Sequence, residues 1–306
     1  FKVNLVDKNK ENLKKIIKGT PPFLEKNAKN LLKRCLSKKK LFINSDYKPL
    51  KSSKFIVICI GTPINKNLKP KINEFLNFFY FLKKLINNSQ IIIIRSSIFP
   101  GVFNKVCKIL NQKNQNIVYC PERIVQSEAL EELPKLPQII AGNNKFSVSL
   151  AKKIFKKISS KIIITSVLEA ELIKLFSNAN RYVNFSLANQ FFMICKENNL
   201  DFSKVRRIMR DGYERNFNLS KAGFTAGPCL LKDTMQLSSF YKNKFSLGHT
   251  AMQINENIPK FLINDLEKKY NLKNKIFGIL GLAFKAETDD IRDSLSIKLV
   301  GYLKRK

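Results

Sequence analysis

Histidine is almost absent from this chain of 306 residues, which contains a single one, His249. This scarcity argues against metal sites built on several imidazoles, and it leaves one candidate partner for any nucleophile that relies on a histidine base. The six cysteines form no Cys-x-x-Cys pair, so the spacing typical of zinc ribbons and dithiol redox centres is missing as well.

Long apolar runs and a secretion signal are also missing. No apolar stretch approaches the roughly 20 residues that a membrane-spanning helix needs. The first ten residues, FKVNLVDKNK, contain neither the apolar core nor the cleavage site of a signal peptide. We therefore expect a cytoplasmic protein with free thiols and no membrane contact. Because the chain does not begin with Met, we interpret Phe1 as an internal position of a larger protein.

Acidic residues are scarce relative to basic ones. The chain contains 23 Asp and Glu against 56 Lys and Arg, which gives a net charge of +33. Such a charge points first to a nucleic-acid partner. The lysines are spread along the chain, however, with runs only as long as KKK at 38–40, and no zinc-finger, zipper or RNA-recognition pattern accompanies them. We predict no specific nucleic-acid site, and only weak, salt-sensitive adhesion to polyanions.

The first half of the chain alternates apolar strand-like runs with helix-like periodicity. This alternation predicts a parallel sheet with helices on both faces, in a Rossmann-like α/β domain over residues 1–165. The predicted strands are 2–6, 54–60, 90–95, 116–119 and 138–141, and the predicted helices between them are 9–18, 71–87 and 99–112.

The second half is predominantly helical. A long helix at 168–199 precedes helices at 201–210, within 230–240 and at 247–270, which predicts a helical central domain over 166–272. A buried strand at 275–285 and a helix at 295–304 indicate the start of a second Rossmann-like domain over 273–306. One strand and one helix cannot close a core, so we expect a chain that is truncated at both ends.

Three predicted strands, 54–60, 90–95 and 116–119, end in polar, turn-forming residues, and the strand at 2–6 ends in an acid, Asp7. Thr62 lies in the Gly-Thr-Pro turn after the strand at 54–60, Ser97 follows the strand at 90–95, and Glu122 follows the strand at 116–119. Ligands bind at the carboxyl ends of strands in sheets of this class, where an acid accepts ribose hydroxyls. For Asp7 alone, a helix N-cap is an equal alternative. The glycine-rich G-x-G-x-x-G turn of dinucleotide-binding domains is absent.

Cys229 follows a Gly-Pro pair and precedes a predicted helix. A helix N-terminus lowers the pKa of a thiol and offers backbone donors to an oxyanion, and Asp233 would lie one turn further on the same face. The alternative is a buried structural cysteine. Glu171, Lys174 and Asn178 share one face of the long helix, where a solvated ion pair is the alternative to a functional site.

These motifs, taken in order, resemble the UDP-glucose/GDP-mannose dehydrogenase family of nucleotide-sugar 6-dehydrogenases. The resemblance covers essentially the whole chain. It rests on a strand ending in Asp7, GTP at 61–63, SSIFPG at 96–101, PER at 121–123, AELIKLFSNA at 170–179, GFTAGPCLLKD at 223–233 and GLAFKAETDDIRDS at 281–294.

The resemblance implies NAD as cofactor and a UDP-sugar as substrate, whose C6 hydroxyl is oxidised in two steps to a uronic acid through a cysteine thioester. It also implies a homodimer formed through the long helix at 167–199, and no metal. The same resemblance implies that Cys229 is the nucleophile and that Lys174 and Asn178 lie near the oxyanion. It implies that Asp233 and Glu122 transfer protons or position water. The implied cofactor ligands are Asp7, Thr62 and Ser97, and Lys285 and Arg292 contact cofactor or substrate from the closing domain.

The segment PERIVQSEALEEL at 121–133 is most similar to the branch that oxidises UDP-N-acetylhexosamines. The UDP-glucose branch usually carries Phe after the Glu, and a second Glu where Gln126 stands. Two other functions stay open: a degraded dehydrogenase scaffold that binds polyanions, and a two-electron 2-hydroxyacid-type dehydrogenase, which has no use for Cys229. With the ends as they are, we expect weak NAD binding and little turnover.

Overall fold

A computed structural model describes residues 1–65, 67–110, 115–225 and 227–306, and the chain divides into two compact units, Phe1–Lys174 and Leu175–Lys306. The first unit is α/β. Its elements are β1 (Val3–Val6), α1 (Lys10–Ile17), α2 (Ala28–Ser37), β2 (Leu41–Asn44), β3 (Phe55–Ile58), α3 (Ile72–Leu82), β4 (Ile91–Ile94), α4 (Val102–Leu110), β5 (Asn116–Tyr119), α5 (Ala129–Glu132), β6 (Gln138–Gly142), α6 (Lys145–Phe155), β7 (Ile162–Ile164) and the start of α7 (Val167–Glu197).

The strands form two sheets, β1-β2 and β3-β4-β5-β6-β7. β4 consists of four isoleucines, all buried, because both faces of its sheet are covered. Ile92 and Ile94 pack in a core with Phe79 of α3 and Val106 of α4. The alternate isoleucines pack on the other face with Phe155 of α6. The predicted Rossmann-like architecture is confirmed, since a strand that alternates between two apolar layers reads as a continuous hydrophobic run.

Two strands, β6 and β7, run in the opposite direction to the other three strands of this sheet. β3, β4 and β5 are parallel, whereas β6 runs antiparallel to β5 and parallel to β7. The connection over 120–137 contains only the four-residue helix α5, so it does not carry the chain back along the sheet as a parallel crossover would. β6 therefore starts near the edge where β5 ended, a detail that the expectation of a parallel sheet did not include.

The second unit is helical. It comprises the rest of α7, then α8 (Phe202–Arg210), α9 (Leu230–Phe240), α10 (Ser246–Lys269) and α11 (Leu295–Leu303), with α10 packed against both α9 and α11. The prediction of a helical region is confirmed. α10 continues through the buried Pro259. In the described part of the chain, none of the helices has the length and apolar character that crossing a membrane requires.

The strand predicted over residues 275–285 does not form. This segment is described throughout and contains neither strand nor helix, and Ile276 and Leu280 are fully exposed. A strand needs a neighbour to accept its ladder hydrogen bonds, and this apolar run has no strand beside it in its unit. The helix predicted to follow it is present as α11.

Candidate active site

Cys229 lies directly before the first turn of α9, as its position after Gly-Pro predicted. The Asp233 N–H donates to the Cys229 carbonyl at 2.9 Å, which closes the first helical hydrogen bond. The thiol-bearing residue is exposed. Two residues earlier, Gly227 has φ +101°, and a Cβ there would lie 2.6 Å from Cδ2 of Phe284. Glycine is required at this position because both the backbone angle and the aromatic ring exclude a side chain.

The Asp233 carboxylate is fully buried and is held by two groups. Asn178 Nδ2 donates to Asp233 Oδ2 at 2.5 Å, and Lys232 Nζ pairs with Asp233 Oδ1 at 2.5 Å. A buried carboxylate needs such partners, because desolvation otherwise penalises its charge. The structure thus brings together Asn178 and Asp233 from segments 55 residues apart. The sequence did not predict that Lys232 pairs with Asp233, because a basic residue next to an acid on a helix gives no sign that either is buried.

Lys174 is buried on α7, one turn before Asn178. Residues four apart lie on the same face of a helix, so an ammonium and an amide are presented one above the other along α7. A lysine is seldom buried unless its charge has a use or a partner. The same-face placement that the sequence predicted for these two residues is present. The alternative of a solvated pair between Glu171 and Lys174 does not apply, because both are buried, and Asn178 is buried and not a surface residue.

Turns at the carboxyl ends of β3 and β4 are tied to each other. Thr62 Oγ1 donates to the Ser97 carbonyl at 2.5 Å, and Ser96 Oγ donates to the Ile60 carbonyl at 2.7 Å. The predicted residues Thr62 and Ser97 are therefore in contact. These hydrogen bonds hold the two turns side by side at the edge of the sheet where a ligand of this fold class binds.

Glu122, after β5, is held by a buried arginine. Arg95 Nη2 pairs with Glu122 Oε2, while Arg95 Nη1 donates to Gln138 Oε1 at 3.0 Å. The other oxygen, Glu122 Oε1, accepts the Arg123 N–H at 2.8 Å. Arg95 also lies over the Phe155 ring, 4.9 Å from its centroid, and burial lowers the pKa of its guanidinium. Arg95 was missed by the sequence analysis, where a charged residue directly after a buried strand gave no hint of its partner.

The acid at the end of β1 keeps an exposed carboxylate. Asp7 Oδ1 accepts the Asn9 N–H at 2.8 Å, and it is Asn9, not Asp7, that caps α1 by accepting the Asn12 N–H. The alternative role of Asp7 as the helix cap is therefore excluded. An exposed acid at the end of a strand suits the hydroxyls of a ribose, so its chemistry and position fit the adenosine side of NAD.

Glu171 fastens α7 to the start of α4. Its carboxylate accepts the Gly101 N–H at 2.8 Å and the Phe103 N–H at 3.1 Å, and the side chain is buried. Burial raises the pKa of the Glu171 carboxyl, since desolvation outweighs the two backbone hydrogen bonds. The two hydrogen bonds to Glu171 fix the turn that follows Ser97. This turn and Lys174 belong to the same unit.

Arg292 is paired with an acid of its own loop. Its guanidinium makes a fork with Asp290, with Nη2 to Oδ2 at 2.6 Å and Nε to Oδ1 at 2.9 Å. This pairing, and in smaller measure the Cys229 side chain, raises the pKa of Arg292. Arg292 thus lies within electrostatic reach of Cys229, and Lys285 is half-buried on the same segment.

Within the described ranges, no cluster of three or more His, Cys, Asp or Glu side chains could hold a metal ion. The predicted residues instead form separate polar groups in each unit. Asn178, Asp233 and Cys229 belong to the helical unit, as do Lys285 and Arg292; Asp7, Thr62, Ser97, Glu122 and Lys174 belong to the α/β unit.

Comparisons with known proteins identify both units. Residues 1–159 match the NAD-binding domain of the UDP-glucose/GDP-mannose dehydrogenase family, and residues 168–257 match the central domain of the same family. The UDP-N-acetyl-D-mannosamine dehydrogenase of Pyrococcus horikoshii is 29% identical over 96% of this chain and 73% of its own length. The UDP-glucose 6-dehydrogenase of Rickettsia bellii is 25% identical over 97% of this chain and 72% of its own length.

A solved structure agrees. The UDP-D-ManNAc dehydrogenase from Pyrococcus horikoshii superposes with a TM-score of 0.91 at 28% identity, covering 100% of this chain and 76% of that one. The resemblance predicted from the motifs is confirmed, as is NAD as the cofactor, because the α/β unit matches an NAD-binding domain. With both matched segments in order along one chain, this protein belongs to the UDP-glucose/GDP-mannose dehydrogenase family.

Proposed function

We propose that this protein oxidises the C6 hydroxyl of a UDP-sugar to a carboxylate in two NAD-dependent steps, with Cys229 as the nucleophile. The observation that carries the proposal is the start of α9. Cys229 is exposed there, and the buried Asp233 carboxylate follows one turn later, hydrogen-bonded to Asn178. A four-electron oxidation needs a thiol, whereas a two-electron dehydrogenase leaves this arrangement without a use.

NAD, when bound, accepts one hydride in each oxidation. A base takes the hydroxyl proton as the first hydride leaves C6, which yields an aldehyde. The Cys229 thiolate adds to the aldehyde carbon, and loss of the second hydride turns the thiohemiacetal into a thioester. Water then attacks the thioester, releasing the carboxylate and the free thiol.

The other polar residues are assigned by their chemistry. Lys174 and Asn178 are a cation and an amide on one face of α7, suited to the oxygen that becomes negative when the thiolate adds. Asp233 takes protons or orients the attacking water. Glu122, fixed by Arg95, accepts a hydrogen bond from water. Asp7, Thr62 and Ser97 line the cofactor side, and Lys285 and Arg292 contact cofactor or substrate from the segment after the helical domain.

The substrate proposed first is a UDP-N-acetylhexosamine, with UDP-glucose second. Arg123 stands where the UDP-glucose branch usually has Phe, and several relatives with 26–29% identity are named UDP-N-acetyl-D-mannosamine dehydrogenases. We also propose a homodimer through α7, whose exposed face carries large apolar side chains, Phe176, Leu187 and Ile194. The domain boundaries 1–165, 166–272 and 273–306 remain predictions.

The test is the yield of NADH per sugar. The full-length protein, with both ends of the chain restored, is given UDP-N-acetylglucosamine, UDP-N-acetylmannosamine, UDP-glucose or GDP-mannose, each at limiting concentration, and absorbance is followed to completion. Cys229→Ala is the test variant, and Cys35→Ala, a free cysteine on α2, is the matched control.

Two NADH per sugar with wild type and Cys35→Ala, and none with Cys229→Ala, is the expected result. One NADH per sugar, unaffected by Cys229→Ala, would replace the proposal with a two-electron dehydrogenase. No NADH from any sugar would favour the degraded scaffold that binds polyanions.

A further inference from the structure

A chain of three hydrogen bonds crosses the interior of the helical unit and ends on the loop that leads to Cys229. The Gly223 N–H donates to Asn189 Oδ1 at 2.8 Å, and Asn189 Nδ2 donates to Asn255 Oδ1 at 2.8 Å. Asn255 Nδ2 then donates to the Tyr182 carbonyl at 3.2 Å. All three donors point in the same direction, from the loop towards the helices, so each bond polarises the next.

The two asparagines are in an unusual place for amide side chains. Asn189 on α7 and Asn255 on α10 both have 0% exposure. Leucines would fill the same volume between two helices without the desolvation cost of four polar groups. What the amides reach is the backbone of a loop, a contact that leucine cannot make.

The loop is held on either side of Gly223 as well. Before it, Arg206 Nε donates to the carbonyls of Leu219 and Ser220, each at 2.9 Å. After it, Gly227 lies against the Phe284 ring. The Gly223 bond is thus the link that ties the middle of this loop to α7 and α10, six residues before Cys229.

We propose that Asn189 and Asn255 are positioning residues, which fix the backbone at Gly223 and thereby set the place of the Cys229 thiol at the start of α9. Their importance for catalysis rests on the function proposed above. The positioning itself is a property of the folded chain that can be measured without turnover.

The test compares Asn189→Leu, which removes the acceptor for Gly223, with Asn189→Asp. A protonated aspartate offers the same carbonyl acceptor and a hydroxyl donor towards Asn255, so it is the conservative variant. Asn257→Leu, on the exposed face of α10, is the matched control. If Asn189→Leu does not fold, Asn189→Ser takes its place, since it also withdraws the acceptor from Gly223.

Two signals are recorded on the folded proteins. Hydrogen exchange at the Gly223 amide is measured near pH 5, where a buried aspartate is protonated. The second-order rate of Cys229 alkylation by iodoacetamide is measured by mass spectrometry across the alkaline limb of its pH profile. Cys195, buried on α7 in the same unit, reports any general loosening.

We expect Asn189→Leu to speed exchange at Gly223 by at least about fivefold and to change the Cys229 alkylation rate by at least about threefold, with Cys195 still protected. Asn189→Asp should restore slow exchange at Gly223, and Asn257→Leu should match wild type in both signals.

Unchanged alkylation of Cys229 in Asn189→Leu would overturn the proposal. Equal acceleration at Gly223 and Cys195 would overturn it too, because the pair would then serve general packing only. These outcomes are separable from the catalytic proposal. If the loop responds as expected but no NADH forms, the positioning role stands and the dehydrogenase function is rejected. If NADH forms but the loop does not respond, the dehydrogenase function stands and the positioning role is rejected.

Discussion

Single residues acquire their properties here from one or two partners. Glu122 and Asp233 are both acids with a basic residue beside them, but Arg95 comes from a neighbouring strand end and Lys232 from the same helical turn. In both pairs a cation compensates the charge of a carboxylate that has little access to solvent. Under the function proposed above, both acids are suited to orient a water molecule.

The Lys232–Asp233 pair yields a prediction at this scale. Asp233 is 1% exposed and Lys232 is 15% exposed, so removing the ammonium leaves a buried carboxylate uncompensated. We expect Lys232→Met to lower the free energy of unfolding by about 3 kcal/mol, measured by urea denaturation. Lys221→Met, at an exposed lysine of the preceding loop, should stay within about 0.5 kcal/mol of wild type.

The double variant Lys232→Met, Asp233→Leu separates charge from packing. It should recover most of the loss, because no unpaired buried charge remains. A Lys232→Met protein as stable as Lys221→Met would contradict the ion pair.

At the scale of elements, the start of α4 depends on an acid that belongs to α7. The first N–H groups of a helix have no partner within the helix. Glu171 accepts two hydrogen bonds from the chain at this point, from Gly101 and Phe103. Capping is usually a local matter of three or four residues, whereas this acid lies about 70 residues further along the chain.

A pH dependence follows for Glu171. Its folded pKa is raised by burial, so its contribution to stability is fully present below the unfolded pKa of about 4.3 and is lost as pH rises through the folded pKa. Glutamine does not ionise, so we expect the free energy of unfolding of Glu171→Gln, relative to wild type, to rise from about pH 4 to about pH 8. Urea denaturation at several pH values measures it.

Glu169 provides a control of opposite sign, two residues earlier on the same helix. Hydrogen bonds from Thr165 and Ser166 lower the pKa of its exposed carboxyl to about 2. A lowered folded pKa contributes stability above the unfolded pKa, and that contribution is lost as pH falls towards 2. The free energy of unfolding of Glu169→Gln, relative to wild type, should therefore fall over the same rise in pH. The same trend in both variants would contradict the assignment for Glu171.

The whole molecule is dominated by its charge of +33. Because the lysines are spread along the chain, we expect adhesion to polyanions that depends on salt and not on sequence. Fluorescence anisotropy with two unrelated DNA duplexes of equal length should give the same affinity for both, and log K should fall steeply and linearly with log salt. A clear preference for one duplex, or binding that survives high salt, would favour the scaffold reading of this protein.

Much of the architecture was readable from local pattern. The four isoleucines of β4 and the 31-residue α7 could form little else, because a short β-branched run and a long helical period each admit one regular structure. The elements α2, β2, α5, α6 and β7 were not predicted; β2, α5 and β7 have only three or four residues each, too few to display a period. At 275–285 a strand was predicted that does not form, because this apolar segment has no neighbouring strand in its described unit to pair with.

Local spacing along the chain already places the chemically important side chains on their elements. The thiol after Gly-Pro, the acid one turn later, the lysine and amide on one helical face, and the polar strand ends all follow from spacing, because helical and strand periods are local properties. The choice of partners came from the packing of distant segments. Arg95 holds Glu122, Asn178 holds Asp233 and Asn189 holds Gly223 across 27, 55 and 34 residues of chain, and such pairings have no signal in local spacing.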